Sequence, residues 1–385
     1  MGGATPAALD GLAVLDLGDE LSAYASRLLA DLGARVVRVE PASGSALEGA
    51  TPLVDAPGGP VSAFERFVNA GKQIVALDAA SAEDRARFAG LLADADVVIE
   101  SPAGVLDAYL AGASVRDDLV RVVVTPFGLD QERPWPDSDD LVVMAEGGLL
   151  HLGGYLDSGP VVAYGRQSRF AASIFAAVAA LTGVIARDAT GVGGSYDVSA
   201  QECMAQALED SAATYSLTGK VRERLGERPR EAGTGVYRCR DGYISMVAGR
   251  LGTARAWSAL IEWLNAEGAE GAETLLEERW QRFDYRQTGE AIETFGAIFE
   301  AFTATRDKAE LYREAQQRMI ALSPVSTVDD LFANRQLRFR EFFVEVDDPL
   351  LGTVTFPRAP YRMSATPPLD PRPSARPAAL VEGTV

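Results

Sequence analysis

The chain has very few of the residues that bind transition metals or form disulfides. Among 385 residues there is one histidine, His151, and there are two distant cysteines, Cys203 and Cys239. This composition excludes clustered histidine sites and provides neither a metal-ligand spacing nor a disulfide framework. We therefore expect no bound metal, and the scarcity of cysteine fits a reducing cytoplasm.

Basic residues are also too few to balance the acidic ones. There are 36 Lys and Arg against 55 Asp and Glu, for a formal net charge of -19. A polyanion would meet net repulsion, so we do not expect nucleic acid as a partner. A small anion is not excluded, because a pocket needs only a few Lys, Arg or backbone N–H groups.

A long apolar run is missing as well. The most apolar stretch, at 170–186, is slightly short for a membrane span and rich in Ala. This favours a buried or interface helix over a membrane anchor, and we expect no membrane partner.

The chain does contain an alternation of apolar runs and helical patterns. Runs rich in Val, Ile and Leu occur at 12–17, 34–40, 73–78, 96–100 and 119–128. They lack polar alternation, which is typical of strands covered by helices on both faces. The pattern predicts an α/β fold with a doubly wound, mostly parallel, Rossmann-like sheet.

A charge-dense stretch at 219–233 indicates the start of a second domain. Beyond it, an Arg-Asp-Gly turn between β-rich runs predicts a hairpin at 234–248, and strand-like runs return after 342. We predict a large α/β domain with its N-terminal part at 1–220, a smaller α+β domain at 221–325, and a return segment at 326–385 that completes the large domain. The Pro-rich tail after 365 should be extended on a surface.

The fingerprint of nicotinamide dehydrogenases is missing. The turn after the first strand reads LGDELSAYA, without the G-x-G-x-x-G that lets a pyrophosphate approach a helix N-terminus. Glu40 does end the second strand, where a ribose-binding acid would lie. The later GVGG run follows a helix and precedes a strand, which is the reverse of the required order. These features disfavour a dehydrogenase.

Three further polar residues permit both a functional and a structural interpretation. Lys72 follows the turn NAGK before a strand, so it is either a ligand-binding ammonium near the sheet edge or a solvated turn lysine. Asp139 and Asp140 precede an apolar run, where they could exchange protons with a substrate or cap a helix.

Several phrases in one order resemble the family III CoA-transferases, which include formyl-CoA transferase and the α-methylacyl-CoA racemases. They begin with YASRLLADLGARVVRVEP and FVNAGKQIVALD, continue with ADVVIE, VVVTPFGL and TGVGGSYDVSAQE, and end with YRCRDGYISM and SPVSTVDDLFANRQLRFREFFVEVDDPLLGTVTFP. The likeness extends from about residue 11 to residue 365. No single phrase is decisive for the resemblance, but the order of the phrases and the length of chain that they cover support it.

The resemblance implies a large domain built from both chain ends, a smaller domain between them, and two subunits interlocked as rings. The dimer would be a homodimer or a heterodimer with a homologous subunit. Its substrates would be acyl-CoA thioesters or a related small acid. In the transferases an aspartate attacks the thioester to form an anhydride and then an aspartyl-CoA thioester.

The resemblance also implies which residues contact CoA. Lys72, with Ala70 in the same turn, is the best-preserved position for the nucleotide phosphates, and Glu40 ends the neighbouring strand. The family's usual E-N-F phrase reads E-S-P here, so that Ser101 and Pro102 occupy the other CoA-binding positions.

The chain departs from the family at the catalytic position. The family's aspartate stands just before the small-residue helix, where this chain reads GPVVAYGRQSRFAAS. Counting back from Arg187 places Arg169 at that position, with Phe170 as the only close alternative, and neither can act as the nucleophile. A guanidinium stays protonated and cannot form an acyl anhydride. The racemase pattern Gly-His-Asp is also broken, because Ser138 and Asp139 precede Asp140.

Three hypotheses follow. In the first, the chain is a CoA-transferase-like component whose catalytic aspartate is absent or supplied by a partner subunit. In the second, the same fold serves isomerase, lyase or cyclase type chemistry, with Arg169 binding substrate charge and Asp140 or Glu146 moving protons. In the third, an ordinary transferase has its nucleophile elsewhere. Whether the chain alone is an enzyme stays open.

Overall fold

The computed structural model describes residues 6–132, 139–224, 226, 229–250 and 252–376. Ser138 of the broken racemase pattern and the tail beyond 376 lie outside the described residues. The chain divides into two compact units. The first contains Met1–His151, Val162–Arg222 and Arg335–Val385, and the second contains Leu152–Val161 and Glu223–Asn334.

The first unit begins with alternating strands and helices. In chain order these are β1 (Ala13–Leu17), α1 (Ala23–Asp31), β2 (Arg35–Pro41), a 3-10 helix (Ala46–Gly49), β3 (Leu53–Val54), β4 (Val61–Ser62), α2 (Ala63–Val68), β5 (Gln73–Leu77), α3 (Ala82–Asp94), β6 (Val97–Glu100), α4 (Val105–Leu110), β7 (Val120–Thr125), α5 (Asp140–Glu146), α6 (Leu149–Leu152), α7 (Gln167–Thr190), β8 (Gly194–Ser199), α8 (Ala200–Gln206) and α9 (Ser211–Thr218).

Six of the described strands form one parallel sheet in the order β5-β2-β1-β6-β7-β8. Successive residues of its central strands belong to two different apolar clusters, one on each face of the sheet. Val14 is in one cluster with Val36 and Ile99, and Leu15 is in the other with Val37. Burial on both faces explains why these strands read as continuous apolar runs. The predicted mostly parallel α/β fold is confirmed.

Helix α7 packs on this sheet through small residues. Ala176, Ala180 and Gly183 are among its buried residues, and a Cβ on Gly183 would lie 2.6 Å from Val120. Small side chains therefore let the helix approach the strands closely. Among the described residues, α7 is the one helix long and apolar enough to cross a membrane, although the core helix of a soluble protein passes the same test.

The second unit contains a hairpin and a cluster of helices. Its elements are β9 (Thr234–Cys239), β10 (Gly242–Val247), α10 (Ala254–Ala266), 3-10 helices (Ala272–Leu276 and Glu278–Gln281), α11 (Phe283–Arg286), α12 (Gly289–Thr303), α13 (Lys308–Gln317), β11 (Ala321–Pro324) and α14 (Val328–Ala333). The strands pair antiparallel in the order β11-β10-β9. Trp257, Trp263 and Trp280 lie in its apolar core.

The chain then returns to the first unit through α15 (Arg335–Phe339), β12 (Phe343–Asp348) and β13 (Gly352–Pro357). Arg66 of α2 donates hydrogen bonds to Asp348 at 2.6 and 2.8 Å. The Pro-rich tail lies along the edge strand β5, where the Ile74 amide donates to the Ala375 carbonyl at 2.8 Å and the Ala375 amide donates to the Lys72 carbonyl at 2.9 Å. The tail thus covers an edge that would otherwise be unpaired.

Candidate functional site

The carboxyl ends of β1 and β6 mark the place where the strand order reverses. β1 is flanked by β2 on one side and by β6 on the other, and Leu17 pairs with Glu100 at the ends of the two strands. Ligands of doubly wound sheets bind in the crevice outside such a switch point. The segments that follow, Gly18–Ser22 and Ser101–Pro102, are therefore the expected place for a site.

A buried group of charges lies below this edge, around Asp16 of β1. Its carboxylate accepts hydrogen bonds from Lys72 Nζ at 2.7 Å, Ser26 Oγ at 2.6 Å and the Gly18 amide at 2.9 Å. Arg38 Nη1 lies 3.3 Å away. Burial alone would raise the pKa of Asp16, but the positive charges of Lys72 and Arg38 outweigh it and lower the pKa to about 2.

Lys72 is buried and has no protons left for a phosphate. Its ammonium donates to Asp16, to the Ala23 carbonyl at 2.7 Å and to Asn69 Oδ1 at 3.1 Å. Burial lowers the pKa of Lys72 to about 8. The interpretation of Lys72 as a solvated turn lysine is wrong, because its side chain has no exposed surface. Its role in binding CoA stays a prediction, and it would require the ammonium to leave Asp16.

Ala70 and Glu40 are buried beside the same group. Ala70 packs against Val346 and Phe356. Glu40 Oε1 accepts a hydrogen bond from Arg38 Nε at 3.0 Å. Glu40 Oε2 lies 3.0 Å from Arg376 in an ion pair that does not have hydrogen-bond geometry. Neither residue presents a free polar group to solvent, so their CoA contacts also stay predictions.

Ser101 and Pro102 follow β6 directly at the switch point. Ser101 is buried and Pro102 is exposed. Glu100 before them accepts from Arg121 Nε at 2.7 Å and from the Leu106 amide at 2.9 Å, so it anchors the start of α4. Of the predicted CoA contacts, Pro102 is the one exposed to solvent at this edge.

Arg169 lies in the first turn of α7 and pairs with two carboxylates. Its Nε is 3.2 Å from Glu20 Oε2, and its Nη2 is 3.6 Å from Asp139 Oδ1. The side chain is 16% exposed, whereas that of Asp139 is 81% exposed. Within the described parts of the chain, Arg169 donates no hydrogen bond.

Glu20 and Arg166 are members of this group that sequence reasoning missed. Glu20, in the β1–α1 turn, forms ion pairs with Arg166 and Arg169. Arg166 also donates to the Thr51 carbonyl at 2.8 Å, and its guanidinium lies 4.1 Å over the ring of Phe64. The acidic turn after the first strand was the available signal, because in this sheet that turn follows β1, which flanks the switch point.

Asp140 joins the starts of two helices. Asp139 caps α5 by accepting from the Asp140 amide at 2.6 Å. The Asp140 carboxylate accepts from Ser168 Oγ at 2.6 Å and from the Ser168 amide at 3.0 Å, which satisfies an N–H group in the first turn of α7. These contacts match the capping interpretation, and a proton-transfer role for Asp140 stays a prediction.

Glu146 lies at the other end of α5 from Asp140, about 9 Å along the helix axis. It is exposed and lines a shallow depression with Phe127, Gln131 and Gln201. The structure therefore places Asp139 and Asp140 beside the first turn of α7, which contains Ser168 and Arg169. Glu146 lies elsewhere on the surface.

The fold is that of a doubly wound α/β protein, a class in which ligands bind at the switch point of the sheet. The family model of CoA-transferase family III matches residues 9–379. The chain belongs to this family.

Relatives and a solved structure extend over nearly the whole chain. It is 35% identical over 359 residues to the BbsE subunit of the succinyl-CoA:(R)-benzylsuccinate CoA-transferase of Thauera aromatica, covering 90% of this chain and 86% of that one. It is 30% identical over 378 residues to the succinyl-CoA:mesaconate CoA-transferase of Haloarcula hispanica, covering 94% and 91%. A CAIB/BAIF family protein from Brucella suis superposes with a TM-score of 0.83 at 26% identity over 97% of both chains.

Proposed function

We propose that this chain is a component of a family III CoA-transferase that binds an acyl-CoA thioester and does not itself supply the catalytic carboxylate. The observation that carries the proposal is Arg169 in the first turn of α7, where the family resemblance puts the aspartate. In the family reaction, a carboxylate oxygen bonds to the thioester carbonyl carbon while the C–S bond breaks and CoA leaves as a thiolate. A guanidinium offers no such oxygen.

The nearby carboxylates are already engaged. Asp140 accepts two hydrogen bonds from Ser168, and Glu20 is paired with Arg166 and Arg169. Hydrogen bonds and opposite charges stabilise the ground state of a carboxylate and reduce its reactivity as a nucleophile. This supports a partner subunit with its own aspartate over a displaced nucleophile in this chain.

The name of one relative supports the proposal that this chain acts with a partner subunit, because BbsE is a subunit of its CoA-transferase. We propose an interlocked dimer with a homologous chain, in the cytoplasm. Two observations favour extensive association. Helices α14 and α15 bury none of their residues within the chain, and α7 exposes Ile174, Val178 and Ile185 by 48, 55 and 70%.

The relatives also suggest the class of acyl group. Their names specify succinyl-CoA together with benzylsuccinate or mesaconate, which are dicarboxylic acids. We propose a dicarboxylic acyl-CoA as the ligand of this chain, with the nucleotide beside Glu40 and Ser101 at the carboxyl ends of β2 and β6. The Lys72 ammonium approaches these ends from the start of β5, where it binds Asp16.

A second candidate function is an enzyme on the same fold that uses Arg169 to stabilise substrate charge without acyl transfer. One observation favours it. The Arg169 guanidinium is largely buried, yet among the described residues it donates no hydrogen bond. Its donors therefore remain available to an anionic substrate.

A trapping experiment tests the main proposal. The purified protein is incubated with succinyl-CoA, treated with hydroxylamine or borohydride, and mapped by mass spectrometry. We expect no modified carboxylate on this chain, and an adduct on the homologous subunit when that subunit is present. A modified Asp or Glu near the start of α7 would establish the ordinary mechanism in this chain and contradict the proposal.

Substitution at position 169 separates the two candidate functions. Arg169→Asp should create transfer activity if the pocket lacks only its nucleophile, whereas the control Arg87→Asp on the exposed face of α3 should not. If instead Arg169→Ala abolished an activity that forms no covalent adduct, the second function would replace the first.

A further inference from the structure

Two arginines at the start of α7, Arg166 just before the helix and Arg169 in its first turn, share a single close carboxylate. The guanidinium groups of Arg166 and Arg169 both form ion pairs with Glu20. Asp139 adds little, because its carboxylate is 3.6 Å from Arg169 and is 81% exposed to screening water. Glu20 is therefore the main counterion of both guanidinium groups among the described residues.

Arg166 is held in position before any ligand arrives, and the backbone that carries Arg169 is packed in place. Arg166 is fixed by the Thr51 carbonyl and by the ring of Phe64. The neighbour of Arg169, Phe170, packs edge-on against Tyr24 with ring centroids 5.0 Å apart. A guanidinium that is positioned by packing loses less conformational entropy when it binds an anion.

Glu20 is the replaceable member of the group. Its side chain is 29% exposed, and among the described residues its contacts are with the two arginines. By contrast, Asp16 at the end of β1 and Asp19 in the turn accept hydrogen bonds from the backbone amides of Gly18 and Leu21 respectively, and so hold the turn itself. Removing the Glu20 carboxylate would therefore leave the backbone of the turn supported.

We propose that Arg166 and Arg169 form a clamp for the free carboxylate of a dicarboxylic acyl-CoA, and that Glu20 occupies this clamp until the ligand displaces it. This inference rests on the proposed binding of an acyl-CoA. Exchange of one carboxylate for another leaves the charge of the site unchanged, so no arginine is left without a counterion. The unused donors of Arg169 can then form the paired hydrogen bonds that guanidinium and carboxylate favour.

The test compares succinyl-CoA with butyryl-CoA, which has the same chain length but lacks the free carboxylate. Affinities are measured calorimetrically on the purified protein, with its homologous subunit if the two co-purify. We expect Glu20→Gln to tighten succinyl-CoA binding about tenfold, because the competing carboxylate is gone, and to leave butyryl-CoA binding unchanged. Arg169→Gln should abolish the preference for succinyl-CoA, with butyryl-CoA again unchanged.

Matched controls come from α3, where Glu83→Gln and Arg87→Gln make the same charge changes on exposed side chains. Both should leave the preference intact. If the wild-type and Glu20→Gln proteins each bind succinyl-CoA and butyryl-CoA with equal affinity, the clamp is overturned but the proposed binding of acyl-CoA is not. If a folded Arg169→Gln protein loses affinity for both esters equally, the clamp is also overturned. If no variant binds either ester, the proposed function fails as well.

Discussion

At the scale of single residues, Lys72 and Asp16 form an ion pair that water cannot screen. Both side chains are fully buried, and the ammonium bridges β1, the start of α1 and the loop after α2. Such a pair contributes little net stability over an apolar pair, but removal of Lys72 leaves the buried Asp16 with Arg38, which is shared with Glu40, as its remaining cationic partner among the described residues.

We therefore expect Lys72→Ala to lower the free energy of unfolding by about 3–5 kcal/mol. Urea denaturation of the purified protein measures this loss. The control Lys220→Ala removes an exposed lysine and should change the free energy by at most about 0.5 kcal/mol. A Lys72→Ala protein as stable as the control would mean that the ammonium is not needed to neutralise Asp16.

This prediction replaces the interpretation of Lys72 as a solvated turn lysine, because a buried ammonium contributes to the stability of the fold. The sequence places Lys72 correctly, in a turn before a strand. It does not reveal that Asp16, 56 residues earlier, is the partner of the lysine. The grouping of Arg169 with Glu20 was hidden for the same reason, because a contact between distant residues depends on strand order, which local patterns do not encode.

At the scale of elements, the central strands could be predicted closely from apolar runs. The run at 73–78 corresponds to β5 at Gln73–Leu77, and the run at 96–100 to β6 at Val97–Glu100. Burial on both faces makes each strand apolar along its length, so the signal is local. The position of the Pro-rich tail could not be predicted in the same way, because its pairing with β5 uses backbone groups and leaves no pattern in the side chains.

The tail pairing predicts a length-dependent effect of truncation. A chain that ends at residue 365 would lose the bonds from Gly71 and Ile74 to the tail and expose the edge of β5. We expect this truncation to aggregate on mild heating, as measured by light scattering. A chain that ends at residue 376 keeps every described tail contact and should behave as the full chain. Equal aggregation of both truncations would contradict a role for the edge pairing.

At the scale of the whole molecule, large apolar side chains remain on the surface of a single chain. They include Ile185 and Val178 on α7, Val328 on α14 and Phe339 on α15, which are 70, 55, 67 and 80% exposed. A formal net charge of -19 favours solubility, but it does not remove the cost of hydrating this apolar surface. Scattered exposed apolar residues are normal, but those of α14 and α15 lie on helices without any buried residue, and this favours a covering partner.

We accordingly predict a stable dimer that persists on dilution, because ring-locked subunits cannot separate without unfolding. Light scattering across a dilution series from micromolar concentration measures this, and the measured mass distinguishes a homodimer from a complex with a homologous subunit. Val178→Glu places a charge on the exposed face of α7 and should reduce the yield of the dimer, whereas Ala89→Glu on the exposed face of α3 should not. A monodisperse monomer of the wild-type chain at micromolar concentration would contradict the interlocked assembly.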